Sequence, residues 1–306
     1  MDLVSFTLAK NEMKKTKHHV VPCAYLQWFS NDPSQWRKSV IEIFDVKNKK
    51  NRPGNVESIM YEKNFYNIDT KWVPVDFAED FFNNTFESWL AKIIAKIDNK
   101  EQLDIEEINQ ICSFVWFQEF RTHYRLDWLR SIYWMIEKKG INIEDEEKKK
   151  HFFHNMFMGD KIIWSKLRWS KRYIFHSENW DFITSDHPLY LLKPNGHPEH
   201  MPLWIYSASL CFPLSKHSYL IAKTWEQDLP GQNNWKKEIL YSDTDDMFIK
   251  ISNRWSCRSI NRFIIGKDIE ALEDIISILN WIKTPEECEE EIKDFMTEVN
   301  ININKV

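Results

Sequence analysis

The amino-acid sequence predicts an α+β fold, in which a helical middle (about 75–165) packs with mostly antiparallel strands and the larger sheet is C-terminal. In the helical middle, apolar side chains recur at the three- and four-residue spacing of an amphipathic helix. In the C-terminal part, short apolar runs are separated by proline, glycine, asparagine or lysine, which is typical of short strands. Helices and strands that occur in separate runs indicate an α+β protein rather than an α/β protein.

The N-terminal part contains one clear strand. It is predicted over residues 39–46, where apolar and polar residues alternate. Residues 47–54 are polar and end in Pro53-Gly54, so we expect a turn there.

The helical middle begins with a helix over residues 75–97. A second helix starts at Asp104, a predicted N-cap with Glu107 three residues later, which resembles a capping box. We expect this second helix to continue to about residue 139, and a third helix to begin in the charged segment 144–150.

The C-terminal part is predicted to form short strands over residues 172–176, 180–184, 188–192, 207–213 and 219–222. These are followed by a helix over 243–258, a strand over 262–265 and a helix over 268–282. We expect one α+β domain over 15–282, with 75–165 as a candidate helical sub-lobe and 283–306 as a peripheral C-terminal helix or tail.

Composition and charge exclude several classes of protein. The chain has 15 Trp, 20 Phe and 10 Tyr but only 6 Gly, and it lacks the glycine-rich motifs of dinucleotide-binding and P-loop proteins. The net charge of −5 gives no overall attraction to nucleic acid. Because no stretch of about 18 apolar residues occurs, we expect no membrane partner. The five cysteines are scattered, which fits a reducing cytoplasm.

Two polar signatures interrupt the apolar sequence. The first signature is KHHVVPCAYL (17–26) and the second is WDFITSDHPL (180–189). The second predicts a buried strand that ends on polar groups, because Pro188 cannot donate a ladder hydrogen bond and biases His187 toward extended geometry. In it, Asp186 is the strongest candidate for a general base or for a ligand of a divalent metal such as magnesium. An Asx turn before the proline explains this aspartate almost as well.

Polar residues also share one face of the predicted second helix. Gln118, Arg121 and Thr122 lie at i, i+3 and i+4, and Arg125 follows at i+7. The other directions are largely apolar, so we expect the helix to be buried. A buried guanidinium needs partners. Arg121 therefore either joins a structural network with carboxylates or faces a pocket and binds an anionic group.

For the histidines of the first signature and the serine of the second, the sequence leaves open whether the role is catalytic or structural. His18 and His19 are neighbours that point to different sides, so they do not form a two-ligand metal site by themselves. For His19, a catalytic role and a structural role fit the sequence equally. Ser185 could be a nucleophile only if a histidine approaches it, and hydrogen bonding that shapes the turn explains it better.

In these motifs and their order, the sequence resembles the bacterial proteins of domain-of-unknown-function family 4238. The matching residues are His18-His19-Val20-Val21-Pro22-x-x-Tyr25-Leu26-x-x-Phe29, Phe65-Tyr66, Gln118-x-x-Arg121-Thr122, Phe182-Ile183-Thr184-Ser185-Asp186-x-Pro188 and Pro213-Leu214-Ser215. The chain differs from the family pattern at Cys23 and His187, where glutamine and asparagine are usual. The resemblance implies a soluble prokaryotic or phage-related protein and supplies no activity. Its shared polar residues map to His19, Gln118, Arg121, Thr184, Ser185 and Asp186.

From these residues we expect a hydrolase-like enzyme that acts on a phosphate-containing substrate, either a small molecule or nucleic acid. The candidates are a nuclease and a nucleotide hydrolase in a prokaryotic defence or toxin context. Arg121 would hold the phosphate, Asp186 would bind the divalent metal or activate water, and His19 would be the general acid or base. The residues expected to bind or orient the substrate are Gln118, Thr184, Ser185 and Tyr25.

Two alternatives stay open. A non-catalytic binding or regulatory module would stack a nucleotide base on aromatic residues and use Arg121 to recognise an anionic ligand. In a purely structural alternative, Arg121 and Asp186 form a buried ion pair, and removal of either partner costs about 3–5 kcal/mol. The sequence leaves the oligomeric state open.

Overall fold

The computed structural model describes residues 17–63, 80, 82–123, 134, 137–138, 170–192, 209–223, 239–257, 260 and 262–279. The strands are β1 (Lys17–His19), β2 (Val40–Asp45), β3 (Lys50–Asn55), β4 (Tyr61–Lys63), β5 (Lys171–His176), β6 (Thr184–Ser185), β7 (Tyr190–Leu192), β8 (Ser209–Pro213), β9 (Ser218–Lys223), β10 (Ile239–Asp243) and β11 (Phe263–Gly266). The α-helices are α1 (Cys23–Leu26), α2 (Ser88–Asp98), α3 (Ile105–Phe120), α4 (Asp246–Ser256) and α5 (Ile269–Leu279). A π-helical turn covers Asn83–Glu87, and 3₁₀ turns cover Gln27–Phe29, Pro33–Lys38 and Val56–Ser58.

The larger sheet lies in the C-terminal part, as predicted. Its five strands are ordered β10-β5-β9-β8-β7. All neighbours are antiparallel except β10, which runs parallel to β5 with Ile239 opposite Arg172. Every residue of β8 and β9 is buried, so both faces of the sheet are covered at its centre. The protein is therefore α+β, with mostly antiparallel sheets.

The second sheet joins the two ends of the described chain. Its strand order is β3-β2-β11-β6. Strand β11 pairs with β2 on one side, with Ile265 opposite Ile43, and with the short β6 on the other, with Ile264 opposite Ser185. The strand of the second signature, β6, therefore pairs with β11, which lies close to the C-terminal end of the described chain.

The turn predicted over residues 47–54 is wrong, because residues 50–55 form β3 and pair with β2 in an antiparallel hairpin. Strand β3 lies at the edge of the sheet, where Pro53 is tolerated because one side of the strand needs no ladder partner. Gly54 packs closely on β2, and a Cβ there would lie 2.6 Å from Cδ1 of Ile43. The turn itself covers only residues 46–49, with Lys49 at a φ of 52°.

Helix α3 begins as predicted and ends earlier than predicted. The carboxylate of Asp104 accepts the N–H of Glu107 at 2.9 Å, and the carboxylate of Glu107 accepts the N–H of Asp104 at 3.1 Å. The predicted continuous helix to residue 139 is interrupted, because α3 ends at Phe120 with Arg121 as its C-cap, and helical geometry is present again at residues 123, 134 and 137. At this end Arg121 and Thr122 bond to other segments instead of continuing the polar face of a helix. Arg125 and the predicted third helix lie outside the described residues.

An aromatic core connects the helices to the larger sheet. The ring of Tyr25 lies 5.7 Å from that of Phe114 and 5.3 Å from that of Phe212, between centroids. The ring centroids of Phe86 and Phe114 are 6.1 Å apart. Such contacts stabilise the packing beyond simple area burial, and they fix α1 against β8. Within the described ranges, no helix combines the length and the apolar character needed to cross a membrane.

Candidate functional site

Three chain segments meet at the C-terminal end of α3. They are residues 18–25 of the first signature, residues 118–122, and residues 184–187 of the second signature. We call this meeting point the motif junction. Side-chain hydrogen bonds connect each pair of segments, so each of the three segments is bonded to the other two. It contains all the residues predicted for the site, namely His19, Tyr25, Gln118, Arg121, Thr184, Ser185 and Asp186.

Arg121 anchors the end of α3 to the first signature. Its side chain is 1% exposed, and Nη2 donates to the backbone oxygen of His19 at 2.7 Å. The guanidinium carbon also lies 4.1 Å from the centre of the Phe82 ring. A cation on an aromatic face is stabilised more strongly when water is excluded. The structure therefore brings the Arg121 guanidinium to the backbone of His19, and the catalytic roles predicted for the two residues stay predictions.

Gln118 makes the matching contact one helical turn earlier. Its Nε2 donates to the backbone oxygen of Val20 at 2.9 Å, and the residue has no exposed surface. Gln118 and Arg121 thus bond to two successive carbonyl groups, those of Val20 and His19. Together they fix the segment after β1 against the end of α3.

His187 connects the end of α3 to the second signature. Its Nδ1 lies 2.6 Å from Oγ1 of Thr122, and its Nε2 lies 3.5 Å from Oε2 of Glu119. The side chains of His187 and Glu119 are 3% and 5% exposed. A carboxylate beside Nε2 favours a proton on that nitrogen, so we infer that Nδ1 of the neutral ring accepts from the Thr122 hydroxyl. A hydroxyl, an imidazole and a carboxylate in this order resemble the proton-transfer arrangement of many hydrolases.

Sequence reasoning did not single out Glu119 as part of the site. The residue lies between Gln118 and Arg121 but points to another side of the helix than they do. Nothing in the local pattern distinguishes it from a solvated glutamate. Only its burial, which depends on the approach of His187, marks it as a functional candidate.

Asp186 bonds to the backbone of β11. Its Oδ2 accepts the N–H groups of Arg262 at 2.6 Å and Phe263 at 3.2 Å, and its own N–H donates to the oxygen of Phe263 at 3.1 Å. The carboxylate thus fixes the start of β11 against the turn after β6. In the part of the chain that the structure describes, no group of three or more His, Cys, Asp or Glu side chains is arranged to hold a metal ion. The metal-binding role of Asp186 stays a prediction.

Tyr25 and Thr184 bond to each other in the core. The Tyr25 hydroxyl donates to the backbone oxygen of Pro213 at 2.7 Å. Because a phenol has only one proton, it accepts from Oγ1 of Thr184, which is also 2.7 Å away. Burial raises the pKa of Tyr25, so the hydroxyl stays protonated. This pair ties α1 to β6, and the predicted substrate-binding role of both residues stays a prediction.

Ser185 shapes the turn of the second signature. Its Oγ accepts the N–H of His187 at 3.2 Å and lies 2.9 Å from the backbone oxygen of the same residue. It also lies 3.0 Å from the backbone oxygen of Ser256 in α4. These contacts position the backbone of His187, so that its ring reaches the end of α3.

The solvent side of the motif junction carries histidines. His19 is half-buried, and its ring lies 6.2 Å from the ring of Tyr61 in β4. Next to Tyr61, Oε1 of Glu62 lies 2.6 Å from Nε2 of His123, with side-chain exposures of 45% and 22%. The edge of the junction nearest to solvent is therefore formed by residues of β1 and β4, although Nε2 of His19 itself is buried.

A separate polar cluster lies at the end of α2. Oδ1 of Asp98 accepts the hydroxyl groups of Ser215 and Ser218 at 2.6 Å each. Nδ1 of His176 lies 3.4 Å from Oγ of Ser218, and the ring centres of His176 and His217 are 6.2 Å apart. Burial raises the pKa of Asp98 and lowers the pKa of His176. Of this cluster, only Ser215 belongs to one of the sequence motifs described above.

A cavity of about 420 Å³ lies between α4, α5 and the loop after β5. Its wall includes Trp180, which is half exposed and has Nζ of Lys250 5.9 Å from its ring centre. Charged groups of both signs line it, among them Asp181, Lys267 and Asp274. These lining residues lie outside the motif junction, so the cavity is a second candidate binding site.

The comparisons with known proteins identify a family. The family model described as "Protein of unknown function (DUF4238)" matches residues 17–270, which is more than half of the chain and includes the whole motif junction. No curated protein and no solved structure matches the chain. The chain therefore belongs to the DUF4238 family.

Proposed function

We propose that the protein is a hydrolase-like enzyme that acts on a phosphate-containing substrate. The observation that carries the proposal is the imidazole of His187 between the hydroxyl of Thr122 and the carboxylate of Glu119. An imidazole in this position can take a proton from a hydroxyl or a water molecule. The carboxylate stabilises the positive ring that results, so the transfer requires less free energy.

Arg121 supports phosphate as the group that is recognised. Its guanidinium is always charged, and its planar set of donors matches the oxygens of a phosphate. Arg121 and Thr122 both belong to the motif junction, and we place the phosphate bound by Arg121 beside the hydroxyl that contacts His187. We assign the role of general acid to His19, which is half-buried and whose backbone oxygen accepts from Arg121.

The proposed reaction is hydrolysis of a phosphate ester. A water molecule gives a proton to the Thr122 hydroxyl, which passes its own proton to Nδ1 of His187. The water oxygen bonds to phosphorus, the bond from phosphorus to the leaving oxygen breaks, and that oxygen takes a proton from His19. His187 ends with one proton more and His19 with one fewer, and exchange with water restores both.

The test is turnover of simple phosphate esters by the purified full chain. Suitable substrates are p-nitrophenyl phosphate, bis(p-nitrophenyl) phosphate, nucleoside triphosphates and single-stranded oligonucleotides, each with and without magnesium. We expect His187→Gln to lower kcat by about 10²–10⁴-fold, the usual contribution of a general base. His217→Gln is the control, because His217 is a half-buried histidine that lies outside the motif junction. No turnover of any substrate by the native protein, or unchanged turnover by His187→Gln, contradicts the proposal.

The cavity beside Trp180 favours a second candidate function, which is binding of a nucleotide through its base without catalysis. A half-exposed indole can stack the base. The wall contains five acidic and three basic residues, and Lys250 and Lys267 each pair with an aspartate, so the base rather than the phosphates would be recognised. Equilibrium dialysis with ATP, followed by analysis of the recovered nucleotide, separates the two candidates. Binding of unchanged ATP that Trp180→Leu abolishes and His187→Gln leaves intact would favour the binding function.

A further inference from the structure

Gln118 has a buried acceptor that no described residue of the protein uses. The residue has no exposed surface, and its Nε2 donates to the oxygen of Val20 at 2.9 Å. This contact fixes the orientation of the amide, because only the NH₂ group can donate to a carbonyl oxygen. Across the described residues, no donor lies within hydrogen-bond distance of Oε1 of Gln118. A buried acceptor without a donor lowers stability, so this oxygen calls for an explanation in terms of function.

The unused oxygen is adjacent to the proposed phosphate position. Gln118 and Arg121 are at i and i+3 of α3, so their Cβ atoms are about 5–6 Å apart on one side of the helix. Their side chains bond to the successive carbonyls of Val20 and His19, which fixes both against the same segment. A single small ligand bound between these two side chains would therefore contact Arg121 with an anionic group and Gln118 with a hydrogen-bond donor.

We propose that Oε1 of Gln118 accepts a hydrogen bond from a substrate hydroxyl next to the phosphate held by Arg121. The substrate class is then a phosphate ester with a neighbouring hydroxyl, such as a ribonucleotide with a 3′-phosphate and a 2′-hydroxyl. The inference rests on the proposed function, since it requires phosphate at Arg121. A site with a buried acceptor discriminates against an analogue that lacks the donor, because the acceptor then stays unpaired. The 2′-hydroxyl is also the group by which proteins distinguish RNA from DNA.

The experiment measures binding by calorimetry with the full chain and two matched pairs of probes. One pair is adenosine 3′-monophosphate and its 2′-deoxy analogue, and the other is glycerol 3-phosphate and propyl phosphate. We expect the native protein to bind the hydroxyl-bearing member of a pair at least about tenfold more tightly. A preference in the nucleotide pair alone identifies a nucleotide substrate, and a preference in both pairs identifies the hydroxyl next to phosphate as sufficient. Either result supports the proposal.

Two variants at Gln118 isolate the acceptor. Gln118→Met removes the oxygen and should make the affinities within a pair equal. Gln118→Glu keeps an acceptor and loses the donor to Val20, so it should keep the preference even if both affinities fall. If Gln118→Met does not fold, the native protein and Gln118→Glu still measure the preference.

The outcomes separate this inference from the proposed function. If the native protein binds both members of each pair with equal affinity, water satisfies Oε1 and the inference is overturned. The proposed function is not affected by that result, since hydrolysis of phosphate esters can still be observed. Loss of the preference in Gln118→Glu also overturns it. If the native protein neither binds any of the four probes nor hydrolyses any phosphate ester, the inference and the proposed function are both wrong.

Discussion

Oγ1 of Thr122 and Nδ1 of His187 lie 2.6 Å apart, although 65 residues separate them in the chain. One residue follows the end of α3, and the other belongs to the turn after β6. With the hydrogen bond between Tyr25 and Thr184, this contact makes the two signatures and the end of α3 one structural unit. A substitution in one segment should therefore affect the position of the others.

Replacing Thr122 by valine should destabilise the motif junction. Valine has the shape of threonine but lacks the hydroxyl, so the buried Nδ1 of His187 loses its hydrogen bond to Oγ1 of Thr122. The expected cost is about 1–3 kcal/mol of the free energy of unfolding, measured by urea denaturation. Thr122→Ser is the control, because serine keeps the hydroxyl and removes only a methyl group. A valine variant as stable as the serine variant would show that the hydrogen bond contributes nothing.

Arg121 and Asp186 should contribute independently to stability. In the described part of the chain, Arg121 donates to the oxygen of His19, whereas Asp186 accepts from the N–H groups of Arg262 and Phe263, so these contacts have no atom in common. In a double-mutant cycle of Arg121→Met and Asp186→Asn, we expect the two effects to add within about 0.5 kcal/mol. A coupling energy of several kcal/mol would indicate the buried ion pair that the structural alternative requires.

Replacing Asp186 by alanine should loosen the start of β11. The N–H groups of Arg262 and Phe263 lose their acceptor, and because both hydrogen bonds are only partly buried we expect a cost at the lower end of the range of about 1–3 kcal/mol for a buried donor. Hydrogen exchange followed by NMR should show faster exchange at these two amides. Asp186→Asn keeps one carbonyl oxygen and should show a smaller effect. Unchanged exchange in the alanine variant would exclude this anchoring role.

Asp98 should make stability fall as the pH rises. Burial raises its pKa above the usual 3.8, so the folded protein binds this proton more tightly than the unfolded chain does. The resulting stabilisation is fully present below the usual pKa and is lost as the pH rises through the raised pKa. Asp98→Asn cannot ionise and can still accept from Ser215 and Ser218. We therefore expect its melting temperature to rise relative to that of the native protein between about pH 3 and about pH 7.

The neighbouring histidines provide the control for this titration. His176 and His217 flank Asp98, and a positive charge on either would favour the ionised carboxylate. His217→Gln should therefore change the size of the effect but not its direction. A difference in melting temperature between Asp98→Asn and the native protein that stays constant with pH would contradict the prediction.

Local features of the fold could be predicted because they depend on residues close together in the chain. The capping box of Asp104 and Glu107 forms as its spacing indicates, since both partners lie within one helical turn. Strands β5 and β9 match the predicted ranges closely for a similar reason, because alternation and flanking polar residues are local signals. The break at Arg121 could not be predicted in this way, since it depends on contacts with other segments.

Sequence alone determined the α+β class, the family and the polar residues that need partners inside the protein. Tertiary structure decided which partners they take: Arg121 bonds to an oxygen 102 residues away, and Asp186 bonds to an amide 77 residues away. The physical reason is that a local pattern encodes burial, whereas a buried polar group bonds to whichever donor or acceptor the packing brings within 3 Å or so, about the length of a hydrogen bond. For the same reason, the contact between His187 and Glu119 became visible only in the folded protein.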